Sequence, residues 1–131
     1  HLSAELPATM DSLIRRYWFD QEMLSFETTE GGEWLRIKDI ILFEGQRNYF
    51  VVGTVSGKAY KCRGTLNSVE DVSKYDFFRV QSSYIVNLEH VEKLEGDRIL
   101  MLSGEEITIG RQKRSVFRTA YMEFIRRRIA Q

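Results

Sequence analysis

The sequence predicts a mostly-β domain with short helices and one longer helix at its C-terminal end. Three observations carry that reading. Short runs rich in β-branched and aromatic residues recur between turn signals. Helical spacing is confined to the two ends and one brief middle segment. No strand alternates with a long helix, as a doubly wound parallel sheet requires. With 131 residues, 43% of them hydrophobic, the chain can bury one core but hardly two. A linker and helix over 1–22 followed by a single domain over 23–131 is the expected organisation.

The segment from His1 to Ala8 holds the only proline, Pro7, and reads as linker. Thr9 can cap a helix, and Met10, Leu13, Ile14, Tyr17 and Trp18 then recur at helical spacing, which predicts an amphipathic helix docked on the body or on another domain. After Asp20 the period changes to two. Met23 to Thr29, a turn at Glu30-Gly31-Gly32, and Glu33 to Ile37 form a predicted hairpin. Asp39 to Glu44 is the next apolar run, broken at Gly45-Gln46-Arg47-Asn48 and resumed over Tyr49 to Thr54. Ser56-Gly57 turns the chain into Lys58 to Arg63. Thr65 can cap a short helix with Leu66, Val69 and Val72 on one face, ending near Lys74 to Asp76. Val80 to Leu94 reads as extended structure around a polar insertion, Arg98 to Leu102 as a strand, and Glu106 to Ile109 as the last strand. From Lys113 onward Val116, Phe117, Ala120, Tyr121, Phe124 and Ile125 mark an amphipathic helix, whose terminal arginines suit its own negative C-terminal dipole.

Composition excludes several classes of function. No apolar run approaches the roughly 20 residues needed to cross a bilayer, and the N-terminus lacks the order of a signal peptide, so a cytoplasmic protein with no membrane partner is expected. Cys62 is the only cysteine, which excludes an internal disulfide; between Lys61 and Arg63 it would be activated only if exposed, and a structural strand cysteine is the expected reading. Of two histidines His1 is terminal, and His90 reads as a surface or half-buried strand residue; neither HExxH nor CxxC spacing occurs. No metal site, cofactor or catalytic constellation is expected, and the chain is not read as an enzyme. The Glu105-Glu106 pair has no second acid or base in pattern with it and reads as a solvated turn.

Net charge is zero, but its distribution is uneven. Leu66 to Glu106 carries nine acidic residues against Lys74, Arg79, Lys93 and Arg98, whereas from Ile107 onward Arg111, Lys113, Arg114, Arg118 and Arg126 to Arg128 face only Glu123. A basic end on an acidic body can orient a molecule toward a polyanion. Three polar stretches at element boundaries carry suitable donors: Gln46-Arg47-Asn48, Gln81-Ser82-Ser83 and Arg111-Gln112-Lys113-Arg114.

Four elements in order resemble the LytTR DNA-binding domain: Asp39 to Glu44, Asn48 to Val52, Phe77-Phe78-Arg79-Val80-Gln81-Ser82-Ser83-Tyr84-Ile85-Val86-Asn87, and Ile107-Thr108-Ile109-Gly110-Arg111. The third is the strong signature and the fourth supports it. The resemblance spans about Met23 to Tyr121. It implies small β-sheets stacked along one axis in a bacterial transcription factor, the output domain of a two-component response regulator. Its loops would enter successive major grooves of double-stranded DNA. An upstream receiver domain would bring two copies together on direct repeats.

Carried over by position, Arg47 or Asn48 would read bases from the first loop, Gln81 and Ser82 from the second, and Arg111 from the third. Arg79, Ser83, Gln112, Lys113 and Arg114 would position phosphates. Gln81 stands where a histidine is frequent and Ser82 where a longer arginine or asparagine is, so the second loop is expected to read less directly. Glutamine can still pair with adenine, whereas Ser82 reaches only a phosphate, a water or a close base edge.

Each residue also has a structural alternative. Arg79 could brace the sheet against an acidic neighbour, Asn87 is expected to bond backbone at a strand bend, and Arg126 to Arg128 read as a solvated helix end. Arg111 and Arg114 point to function because a helix start ordinarily prefers acids against its positive dipole. The competing class is a β-rich protein-interaction module that holds a partner on an exposed sheet edge or on the Trp18 helix.

Overall fold

The computed structural model describes residues 21–130, so the helix expected over Thr9 to Trp18 lies outside the described residues. Strands β1 (Met23–Thr28) and β2 (Gly31–Arg36) form a hairpin around Thr29 and Glu30. The second strand starts two residues earlier than expected because Gly31, at φ 114°, already pairs with Thr28. The Thr28 hydroxyl closes the turn, donating to the Gly31 carbonyl at 2.6 Å and accepting from the Glu30 amide at 3.0 Å.

Strands β3 (Ile40–Gly45), β4 (Tyr49–Thr54) and β5 (Ala59–Arg63) follow, and a 3-10 helix over Leu66–Tyr75 leads to β6 (Phe77–Gln81) and β7 (Tyr84–Asn87). These seven strands form one antiparallel sheet in the order β2-β1-β5-β4-β3-β7-β6. Strands β8 (Val91–Glu95), β9 (Arg98–Met101) and β10 (Glu106–Thr108) form a second, three-stranded sheet, and a 3-10 turn at Arg111–Lys113 opens helix α1 (Arg114–Ala130). The architecture is mostly β, as the sequence predicts, with one wide sheet and one narrow one instead of a series of small stacks.

Period-two alternation sends side chains into two cores, where the chain length led to the expectation of one, because the wide sheet is covered on both faces. Phe43, Phe77 and Ile85 point to one face with Phe26, Phe50 and the helix residues Leu66 and Val72. Leu42, Val80 and Val86 point to the other, where the narrow sheet supplies Ile99, Met101 and Ile107, and α1 supplies Phe117 and Phe124. Strand β3 is buried on both faces over Ile40 to Phe43. A register shift between Ile40 and Leu42 lets the consecutive residues Ile41 and Leu42 join the same core. Cys62 is 2% exposed in β5, and burial pushes its thiol pKa up, which makes it a packing residue and not a nucleophile.

The extended structure expected over Val80 to Leu94 turns at Ser82–Ser83, within the polar insertion, and bends a second time at a corner. A 3-10 turn at Leu88–His90 carries the chain from the wide sheet to the narrow one, and buried Asn87 fixes it. The Asn87 amide donates to the Ile40 carbonyl at 2.8 Å and the Ile37 carbonyl at 3.4 Å, while its oxygen accepts from the Glu89 amide at 3.0 Å. The structural role expected of Asn87 is therefore the observed one. The His90 ring bonds the Lys38 carbonyl at 2.7 Å across the same corner.

Candidate nucleic-acid interface

Antiparallel register decides which loops share an end of the wide sheet. Glu44 lies opposite Tyr84, Gly45 opposite Phe50, and Tyr49 opposite Arg63. The loop at Gln46–Asn48, the turn at Ser82–Ser83 and the turn at Gly64 thus leave the sheet side by side. Backbone bonds tie them together: the Gly45 amide donates to the Ser83 carbonyl at 2.8 Å, and the Gly64 amide to the Asn48 carbonyl at 3.1 Å.

The third polar stretch comes from the narrow sheet and is joined to the same end. The Gly110 amide donates to the Val80 carbonyl at 2.7 Å, and the Gln81 side-chain amide donates to the Thr108 carbonyl at 2.6 Å. Only glycine allows that approach without adjustment, because a Cβ at position 110 would sit 3.3 Å from the Val80 oxygen. Gly110→Ala is expected to displace the loop by a few tenths of an ångström and to cost about 1–3 kcal/mol, measured by thermal or chemical denaturation. An unchanged midpoint would show that the junction is looser than this contact requires.

The predicted site residues divide by how their side chains are engaged. Arg47, Asn48, Ser82, Arg111 and Gln112 are exposed and, among the described residues, their side chains hold no hydrogen bond or ion pair. Ser83 is half-buried, and Gln81 keeps its amide oxygen available as an acceptor. Lys113 lies over the Phe78 ring, its ammonium 6.0 Å from the centroid and 3.4 Å from the Arg79 carbonyl.

Arg79 is committed to the fold. Its guanidinium donates to Asn67 Oδ1 at 2.6 Å, Glu70 Oε2 at 2.9 Å and the Ser82 carbonyl at 2.7 Å, so it braces the second turn against the 3-10 helix. Arg114 pairs with Asp97 Oδ2 at 3.0 Å.

The basic end and the acidic body seen in the sequence cancel in space. Arg114, Arg127 and Arg128 reach back to Asp97, Asp76 and Glu89, and Arg126 pairs with Glu123. The last three arginines are thus not a simple solvated helix end. The Arg127 guanidinium pKa is raised by its bond to Asp76, which fastens α1 to the residue before β6. Arg98 and Glu106 pair across the narrow sheet. Among the described arginines only Arg36, Arg47, Arg63, Arg111 and Arg118 lack a carboxylate partner. Three of those five, Arg47, Arg63 and Arg111, belong to the joined end. Tyr84 beside the loops keeps its proton well above neutral pH, because burial and the carboxylates of Glu44 and Glu105 raise its pKa, so it adds no negative charge there.

The sequence profile of the LytTr DNA-binding domain matches residues 33–122. The chain belongs to that family. The matched span runs from β2 into α1 and contains all three loops of this LytTr domain. Among solved structures, the LytTr DNA-binding domain of a Bacillus cereus protein named as a methyl-accepting/DNA response regulator superimposes with a TM-score of 0.66 at 21% identity. The likeness covers 76% of this chain and 96% of that one, and at this identity it is a likeness of fold. Comparison with curated protein sequences finds no match.

One residue of the LytTr domain's joined end escaped the sequence reading. Arg63 closes β5, and the alternation of buried Cys62 with exposed Lys61 and Arg63 could have placed it on the outer face. Nothing local could have placed it beside Asn48. Among the described residues no helix is long and apolar enough to cross a membrane, and no cluster of three or more histidine, cysteine or acidic residues could hold a metal.

Proposed function

We propose that this LytTr domain is a sequence-specific double-stranded DNA binder, the output domain of a bacterial two-component response regulator acting on transcription in the cytoplasm. The observation that carries the reading is the joined end of the wide sheet, where three separate loops present unpaired Arg47 and Arg111 with Asn48, Gln81 and Ser82 between them. Arginine donates bidentately to guanine, and asparagine or glutamine to adenine, in the major groove. Arg47, Asn48, Gln81, Ser82 and Arg111 read bases in this account. Gln81 does so with only part of its amide, because the Thr108 carbonyl takes one of its two N–H donors.

Ser83, Gln112 and Lys113 contact phosphates. Arg79 and Arg114 hold their loops through Glu70 and Asp97, and the N–H groups those bonds leave over can donate to a phosphate. Two copies on neighbouring direct repeats, brought together by an upstream receiver domain, complete the proposed regulator. Selection from a random pool of duplexes followed by a salt series tests the reading. An enriched site with log affinity falling against log salt by about 0.9 per neutralised phosphate supports it, and weak, salt-insensitive retention without enrichment overturns it.

A second reading has one observation in its favour. Edge strand β2 exposes Trp34 at 65%, and Met23 and Val55 stand near it at the end of the sheet opposite the loops. A protein-interaction module would use that patch.

A further inference from the structure

We propose that Arg63 is a phosphate-contacting residue that extends the DNA footprint beyond the first loop; the proposal rests on the DNA-binding reading above. Arg63 ends β5 opposite Tyr49, and the chain turns away at once through Gly64, whose φ of 114° is a conformation other residues rarely adopt. The Gly64 amide is bonded to the Asn48 carbonyl, so Arg63 is held next to the first loop by the sheet ladder on one side and by this turn on the other.

Its side chain is exposed on the face opposite buried Cys62, and among the described residues it has no carboxylate, hydrogen-bond or ring partner. Lys61, on the same face, lies over the Tyr49 ring at 4.0 Å from the centroid and adds a second positive charge beside it. An arginine fixed on a strand, behind the tip formed by Arg47 and Asn48, is set back from the groove floor that the tip enters. Backbone phosphate, which flanks every groove, is the chemistry it meets there.

The experiment measures binding of wild type, Arg63→Ala, Arg63→Lys and Arg111→Ala to an enriched duplex and to a mixed-sequence duplex across a salt series. Arg63→Ala is expected to weaken both by the same factor, roughly five- to tenfold at 0.1 M salt, and to flatten the log-log slope by about 0.9. Arg63→Lys is expected to restore the slope, because the charge survives. Unchanged affinity and slope in Arg63→Ala, while Arg111→Ala still loses site preference, overturns the proposal and leaves the DNA-binding reading intact. A loss confined to the enriched duplex also overturns it, since that is the signature of base reading. Failure of the wild type to bind either duplex removes the DNA-binding reading itself.

Discussion

Replacing Phe43 with alanine is expected to lower the unfolding free energy by about 3–5 kcal/mol, a large part of the roughly 5–15 kcal/mol that a domain of this kind possesses. Phe43 is fully buried, and its ring meets those of Phe26, Phe50 and Phe77 at centroid distances of 5.9, 6.1 and 5.6 Å. It stands on an interior strand of the wide sheet, between β4 and β7, two residues before Gly45 ends the strand at the first loop. Three aromatic neighbours held by separate strands cannot collapse into the space without moving those strands, so the cavity term adds to the lost transfer energy. Chemical denaturation checks the value. A loss under about 1 kcal/mol would mean that the core can repack around the gap.

Arg111→Ala is expected to remove about 1–3 kcal/mol of discrimination between the preferred duplex and one altered at a single base pair. The fold should survive, because the side chain is exposed and, among the described residues, unpaired. The backbone that positions it remains anchored at Gly110 by the bond to the Val80 carbonyl. Competition binding with single-position duplex variants measures the effect. Equal discrimination in the mutant and the wild type would exclude Arg111 from base reading and shift that role to Arg47 and Asn48.

Much of this fold is legible in the sequence, for identifiable reasons. Strands β3, β4 and β5 alternate or run apolar between glycine-containing turns, and α1 repeats its apolar residues at helical spacing. At the corner of Leu88–His90 the bend at Asn87 is legible, but the change of sheet is not, because Asn87 bonds the carbonyls of Ile37 and Ile40, distant in sequence. The same limit applies to the candidate site. Polar stretches identify three loops, but their adjacency depends on the long-range bonds from Gly45 to Ser83 and from Gly110 to Val80.

Charge is the clearest case of sequence proximity misleading. The acidic segment and the basic C-terminal segment look segregated, yet Asp76, Glu89 and Asp97 take up Arg127, Arg128 and Arg114. What remains among the described residues is a local excess of unpaired arginine at one end of the sheet, which pairing across the fold defines and linear charge counting cannot.

The most direct test of the central claim is an amide NMR titration of the domain with duplex DNA, using an enriched sequence or, without enrichment, a mixed-sequence duplex. Shifts are expected to group at Gln46 to Asn48, Arg63 and Gly64, Gln81 to Ser83, and Gly110 to Lys113, with Trp34 and Val55 unaffected. Shifts grouped at Trp34, Met23 and Val55, with the loop residues silent, would contradict it.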